Sequence, residues 1–568
     1  YILGNVYLEV EPVKNLTAKT LLGITHQNGK YEEFLDPFKT DWGRANIGLA
    51  SEYADMDNYL VSQNTLAYKL SLNDAHNFSF LGGLIISTKN TENLSVSSKH
   101  FSSSAVKTVN GGSIMVSMNS DKSAINNLSS ILNMNYDFKN RYLLTVNFRA
   151  DGASNFGKDN KWGYFPSFSA GWRLSEEKFM SSFQSLSDFK IRAGWGQVGN
   201  SGITAYASYG TMTPAPYIID GTVQNGKIPA TIDNQDLKWE ETTQSNVGID
   251  LAFFNFRLAF TLDAYYKKTN DLLFDYPLPR STGYNSSVIN IGSVENKGLE
   301  FSIASKNLVN QFKWNTDFNI SFNKNKVLNL GGKDLLVGYI YTREEVSLIR
   351  EGYPLGTFYG YVSQGVNPLN GMIMYKGADE NGDVSDEDKA IIGDANPLFT
   401  SGLNNTFSYK GFDLSILLQS VYGNDIFNAT RIDIEGMYNF YNQSTQVLKR
   451  WKVPGQKTDI PKAIYGSTAN SLISSRFIED GSYLRVKNIT LGYSIPERIL
   501  KNKNIIKEFK CYLTMENPFT FTKYTGYDPE VSMFVNNGVN AEQNGAIGID
   551  YGTYPQPRNF IFGISLKL

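Results

Sequence analysis

The sequence predicts an all-β fold, a transmembrane antiparallel β-barrel with about 17 strands in view. Three observations carry that reading. Apolar and polar residues alternate again and again along 568 residues; turns are short on one side and long on the other; and aromatics reach 13% of the chain, with 34 Tyr, 35 Phe and 7 Trp. The clearest unit surrounds residue 140. Leu132, Met134, Tyr136 and Phe138 alternate with Asn133, Asn135 and Asp137, and after a turn at Lys139-Asn140 the row Tyr142, Leu144, Val146 and Phe148 follows. Side chains in a strand point to opposite faces with period two. One face is therefore apolar, and the other carries Asn, Asp and Arg, which suit water better than a packed core. Apolar outside and wet inside is the pattern of a membrane barrel.

Other classes fit less well. No run of about 18 apolar residues exists, so a helical membrane protein is excluded. A barrel escapes that test because only alternate residues are apolar. The net charge of −2 argues against nucleic acid as a partner. Cys511 is the single cysteine, which excludes a disulfide scaffold and a cysteine-based metal site. It alternates with Phe509, Leu513 and Met515 and reads as a small apolar residue. A soluble sheet with one solvated face is the main rival, and it would need one very large core to bury so many aromatic rows. The chain opens at Tyr1 with no Met and no signal peptide, so it reads as a mature chain or a fragment.

The alternating segments, in order, are 6–11, 17–26, 64–72, 78–86, 132–138, 142–149, 166–174, 189–198, 243–253, 257–266, 297–305, 312–322, 403–409, 412–419, 483–493, 509–515 and 558–568. Short turns at Lys139-Asn140, around Asn255 and at Lys410-Gly411 join neighbours into hairpins. Long polar stretches at 27–63, 199–241, 323–402, 422–482 and 517–557 read as extracellular loops, where function usually sits. Outward positions near the short turns are aromatic: Tyr136, Phe138, Tyr142, Phe253, Tyr409, Phe412 and Phe509. They read as one interfacial girdle. Inward positions place Lys190, Arg192, Asp250, Asp263, Glu300, Asp317 and Asp413 on the lumen wall, with Asn319 and Glu516. The row Phe560, Phe562, Ile564, Leu566 and Leu568 reads as a closing lipid-facing strand. Bacterial single-chain barrels have even strand numbers, and plugged outer-membrane transporters have about 22. Residues 1–568 thus read as one partial barrel domain, with the first strands and a plug expected upstream.

Few residues suggest chemistry. In the acidic stretch 379–388, Asp379, Asn381, Asp383, Asp386 and Asp388 place oxygens at alternate positions, as a calcium loop does. Val384 stands where the turn glycine of such a loop belongs, and a solvated acidic loop is the competing reading. Gly194, Gly196 and Gly199 match G-x-G-x-x-G by letter, but they lie in and just after a strand, so close packing or a bend is expected rather than nucleotide binding. His26, His76 and His100 are isolated, with no metal-ligand spacing and no nucleophile motif nearby. No catalytic residue is assigned, and no cofactor beyond the calcium candidate. Tyr206, Tyr209, Tyr217, Tyr438, Tyr441 and Tyr551 lie in long loops and could stack on sugar rings or grip peptide side chains.

Several segments jointly resemble the barrel of SusC/RagA-type TonB-dependent transporters of Bacteroidetes. They include "YLLTVNFRADGASNFGKDNKWGYFPSFSAGWRLSEE" at 142–177, "FKIRAGWGQVGN" at 189–200, "LKWEETTQSNVGID" at 237–250, "NIGSVENKGLE" at 290–300, "FIEDGSYLRVKNITLGYSIP" from Phe477 and "YPQPRNFIFGISLKL" from Tyr554. The resemblance runs from about residue 133 to the end and is weaker before it. It implies an outer-membrane location and import of oligosaccharides, peptides or similar nutrients. It also implies a SusD-like surface lipoprotein as a lid, a dimer of the transporter–lipoprotein pair, and energy from TonB–ExbB–ExbD acting through an N-terminal plug. The plug and TonB box are not found in these residues. A passive channel, an assembly or secretion component built on the same barrel, and a soluble β-rich glycan-binding protein are the rival functions.

Overall fold

The computed structural model describes residues 1–73, 75–340, 344–496, 506–531 and 545–567. Among them, seventeen strands belong to one sheet. They are β1 Ile2–Val13, β2 Leu16–Leu35, β3 Leu49–Leu72, β4 His76–Phe101, β5 Gly112–Phe138, β6 Tyr142–Ala153, β7 Trp162–Arg173, β8 Leu186–Asn200 and β9 Glu240–Phe253. The rest are β10 Leu258–Asn270, β11 Ser293–Val309, β12 Phe312–Asn329, β13 Phe399–Tyr409, β14 Phe412–Tyr422, β15 Tyr483–Ser494, β16 Glu508–Thr522 and β17 Asn559–Lys567. Each matches one alternating segment of the sequence. Leu568 lies outside the described residues. Among the described residues, no helix is long and apolar enough to cross a membrane.

The chain divides into two compact units. The first comprises residues 1–170, 196–241 and 276–289. Here β1 to β6 pair in sequence order, each antiparallel to the next. The register aligns Leu66 with Gly82, Gly82 with Leu132, and Leu132 with Phe148. Directly paired residues share a face, so these apolar side chains form one row, and Leu66, Leu132 and Phe148 are all exposed. On the other face Asn147 bonds Asn133, and its amide donates to Ser167 at 3.1 Å.

β2 to β5 are far longer than alternation suggested, at 20, 24, 26 and 27 residues. A strand needs only about 9–11 residues to cross a bilayer. The stretch 27–63, expected as a loop, is mostly strand, and Tyr31 pairs with Tyr53 inside it. This corrects the sequence reading. Lys30, Glu32, Glu33, Glu52, Asp55 and Asp57 place charge on both faces there, so hydrogen-bond pairing continues without an apolar row to reveal it.

The second unit comprises residues 171–195, 242–275 and 290–568. β10 to β17 again pair antiparallel in order. The turn at Lys410-Gly411 has φ of 47° and 88°. Both central residues of such a hairpin turn must be left-handed, and glycine takes the second place without strain. Beside the short turns the rings Phe312 and Tyr409, and Phe412 and Tyr493, lie 6.3 and 4.5 Å apart between centroids.

The long loops of this unit are folded bodies. Leu335–Tyr339, Glu345–Ile349, Thr357–Tyr361 and Lys389–Asp394 form a four-stranded sheet. Asp425–Asn428, Ile478–Asp480 and Ile549–Asp550 form a three-stranded one. Phe358, Phe427, Phe477, Ile432 and Ile549 meet in one buried core. Segments separated by up to about 200 residues thus share a hydrophobic centre, which fixes loop shape by burial rather than by local turns.

Candidate functional site

The register brings the sequence-predicted wall residues onto one face of the sheet. Lys190 Nζ lies 3.4 Å from Asp250, and Arg192 bridges Asp250 at 3.1 Å and Asp263 at 2.7 Å. Asp263 pairs directly with Glu300. Two and four residues on, Ser302 and Ala304 share Glu300's face, and Ala304 pairs with Asp317. Asp317 pairs with Asn404, and Asn404 with Leu417, two steps of two from Asp413. Ser408 donates to Asp413 at 2.7 Å, and Lys510 reaches Asp413 at 3.3 Å. The same counting puts Asn319 and Glu516 on this face. The opposite face carries Leu262, Leu299, Phe322, Leu491, Leu513, Phe560 and Phe562, all exposed. Cys511 pairs with Tyr493 and Ile564 on that apolar side.

The first unit holds a cavity of about 730 Å³ on its polar face. Arg149 is among the residues that line it, donating to Asp151 at 2.6 Å and to Ser129 at 3.1 Å. Gly196 and Gly199 belong to β8, not to a helix start. A side chain at Gly199 would strike the Phe165 ring, and one at Gly196 would meet Ser167. Close packing explains the glycines, as the strand context suggested.

The acidic stretch is arranged around its own backbone. Asp379 accepts from the amides of Asn381 and Asp383, each at 2.9 Å. These bonds hold its carboxyl below the usual range. Asp388 accepts from Ser385, closing a short turn, and Asp386 pairs with Lys389 at 2.8 Å. Asn381 and Asp383 complete the five residues. Among the described residues, no group of three or more His, Cys, Asp or Glu is placed to hold a metal ion. The three histidines stay apart; His26 bonds Asn58 and His76 bonds Tyr136.

The loop tyrosines divide. Tyr206, Tyr209 and Tyr217 lie exposed in the first unit, and Tyr441 is exposed in the second. Tyr438 and Tyr551 are drawn together, both donating to Asp433, the latter at 2.9 Å. Their hydroxyls hold loop to loop.

Sequence reasoning missed the charged network that organises the loops. Arg431 bonds Glu435 at 3.1 Å and Glu479 at 3.0 Å, and Arg476 shares Glu435 at 3.3 Å. Arg485, almost fully buried on the polar face of β15, bonds Asp528 and Glu530. The only available signal was the arginine interrupting "GSYLRVKNI" at an inward position. Its partners are about 40 residues away, beyond any local pattern.

The comparisons with known proteins agree with this geometry. The family model described as "TonB dependent receptor-like, beta-barrel" matches residues 14–517. TonB-dependent receptor P3 of Formosa agariphila is 34% identical over 588 residues, covering 99% of this chain and 58% of that protein. TonB-dependent receptor SusC of Bacteroides thetaiotaomicron is 32% identical over 459 residues, covering 76% of this chain and 43% of that protein. The solved RagAB peptide transporter is similar with a TM-score of 0.84 at 25% identity, over 99% of this chain and 61% of that one. The chain spans less than two thirds of the length of these relatives.

Proposed function

Since the chain belongs to the TonB-dependent receptor β-barrel family, of SusC/RagA type, we propose that it forms the wall of an outer-membrane nutrient importer. The observation that carries this reading is the two-faced sheet. Lys190, Arg192, Asp250, Asp263, Glu300, Asp317 and Asp413 share one face, and exposed Leu and Phe rows occupy the other. Lipid accepts the apolar rows, and the charged face lines a wet path for a polar solute. The solute is an oligosaccharide or a peptide; the RagAB likeness favours a large oligomer over a single small molecule.

On this reading the folded loops face outward, a SusD-like lipoprotein closes over them, and TonB–ExbB–ExbD supplies energy through the N-terminal part of the whole receptor. The wall selects and passes its solute without covalent chemistry. The test is uptake of labelled oligosaccharides and oligopeptides by cells with and without the gene. Uptake that needs the gene and stops with a protonophore supports energised import. Gene-dependent uptake that survives the protonophore would replace it with a passive channel.

A further inference from the structure

The long loops of the second unit enclose a cleft of about 830 Å³, lined by Arg431, Lys449, Lys457, Glu479 and Lys523 among others. Its acidic groups are largely engaged. Glu435 is held by Arg431 and Arg476. Glu479 accepts from Arg431, Asn428 and Thr525. Asp480 accepts from the Ser482 amide at 2.9 Å, with Lys523 in electrostatic range. Asp459 is the exception: it lines the cleft and, among the described residues, has no hydrogen bond or ion pair. The lysines are not engaged in this way. Lys449 donates only to the neutral Gln446 amide, at 3.0 Å, and among the described residues neither Lys449 nor Lys457 has an ion-pair partner. The cleft therefore offers donors and positive charge to an incoming group, and few free acceptors.

A second observation lies on the same segment. Phe440 and Tyr465, at the two ends of the stretch that carries both lysines, lie tilted at 36° to each other with centroids 4.8 Å apart. They are 89% and 71% exposed, so an aromatic surface that flanks the lysine-bearing stretch in sequence stands open to solvent. Exposed rings of this kind take up flat apolar faces.

We infer that this cleft is a binding site for an acidic oligosaccharide, with Lys449 and Lys457 contacting its carboxylate or sulfate groups and the Phe440–Tyr465 pair contacting a sugar face. A peptide brings amide N–H groups and a terminal ammonium that need acceptors, and here the lining carboxylates other than Asp459 are already bonded. An acidic glycan is rich in acceptor oxygens and matches the free donors. The inference rests on the import reading only for the outward orientation of the loops.

The test is calorimetric titration of the full-length receptor, purified in detergent. The probes are trigalacturonate, the neutral galactose trimer of equal length, and triglutamate. Trigalacturonate should bind tightest and weaken with salt. K449Q/K457Q should weaken it about tenfold or more and leave the neutral trimer unchanged. Phe440→Ala should weaken both sugars. Equal binding of the neutral trimer, preference for triglutamate, or an unchanged affinity in K449Q/K457Q would overturn the assignment. Both lysines are at the surface, and an unchanged unfolding temperature certifies the variant. Binding in detergent needs no energy source, so binding without energised uptake sinks the import reading alone. Energised uptake of other solutes with no trigalacturonate binding sinks this one alone.

Discussion

Arg485 Nη2 donates to Asp528 Oδ1 at 2.5 Å, and its Nη1 reaches Glu530 at 2.6 Å, with the arginine side chain only 1% exposed. Arg485 stands on the polar face of β15, where its Nε also donates to Thr520 of β16 at 3.0 Å. Its partners lie in the segment that follows β16. One guanidinium thus ties a loop to the wall, and its rigid fork suits two carboxylates at once.

Removing one side of this contact should be costly. Arg485→Ala leaves Asp528 buried without its cation, and such losses run about 3–5 kcal/mol. Arg485→Ala combined with Asp528→Ala should cost clearly less than the sum of the two single changes. The measurement is a double-mutant cycle on thermal unfolding in detergent. Additive costs would mean that the contact does not hold the loop.

The two faces of β11 make opposite predictions for neighbouring positions. Leu299 is exposed on the apolar face, and Ser302 lies on the polar face opposite Asn319. Leu299→Arg should destabilise by about 2–4 kcal/mol, because it drives a cation toward the bilayer midplane. Ser302→Arg should be close to neutral for assembly. Heat-modifiable gel mobility of membrane-inserted protein reads both. Equal tolerance at the two sites would contradict the assignment of the apolar face to lipid.

How far the sequence carries depends on solvent. Where a strand has lipid on one face and water on the other, alternation is forced, and all seventeen strands were legible from rows such as Leu132 to Phe138 and Phe560 to Leu566. Where both faces meet water, the chain pairs through backbone bonds alone, and nothing in Gln27, Asn28, Glu32 or Glu52 marks a strand. That Lys190, Arg192, Asp250, Asp263 and Glu300 share one face was legible by the same period of two. The loop site was not. Arg431, Glu435, Arg476 and Glu479 become a network only after a core of residues from three loops has brought them together. Long-range burial leaves no local periodicity.

The loop body also carries a pH response. Asp425 is half-buried; burial first, and then the neighbouring Asp394 and Asp480, raise its carboxyl above the ordinary value of 3.8. Its Oδ2 accepts the Asp394 amide at 2.9 Å. A carboxyl raised in the folded state binds its proton more tightly there than in the unfolded chain. Its contribution is fully present below 3.8 and is lost as pH rises through the raised folded value. Asp425→Asn keeps an acceptor for the amide and cannot ionise. It should raise the unfolding temperature at neutral pH, with the gain vanishing below about pH 4. Melting curves across that range decide it; a gain that persists in acid would point to a cause other than the buried charge.

Tyr438 and Tyr551, candidates for contact with the solute, both donate their hydroxyls to Asp433. A hydrogen bond to a charged acceptor contributes about 1.5–3 kcal/mol, so Tyr551→Phe should lower stability by that order. Uptake measured well below the melting temperature should stay unchanged, since the ring and the loop position are retained. Tyr441, at 65% exposure, makes the opposite case. Tyr441→Ala removes no hydroxyl contact to Asp433 and should leave melting nearly untouched, so any loss of uptake there reports on solute or partner contact. If Tyr551→Phe instead lowers uptake without a change in melting, its hydroxyl leaves Asp433 to meet the solute during transport.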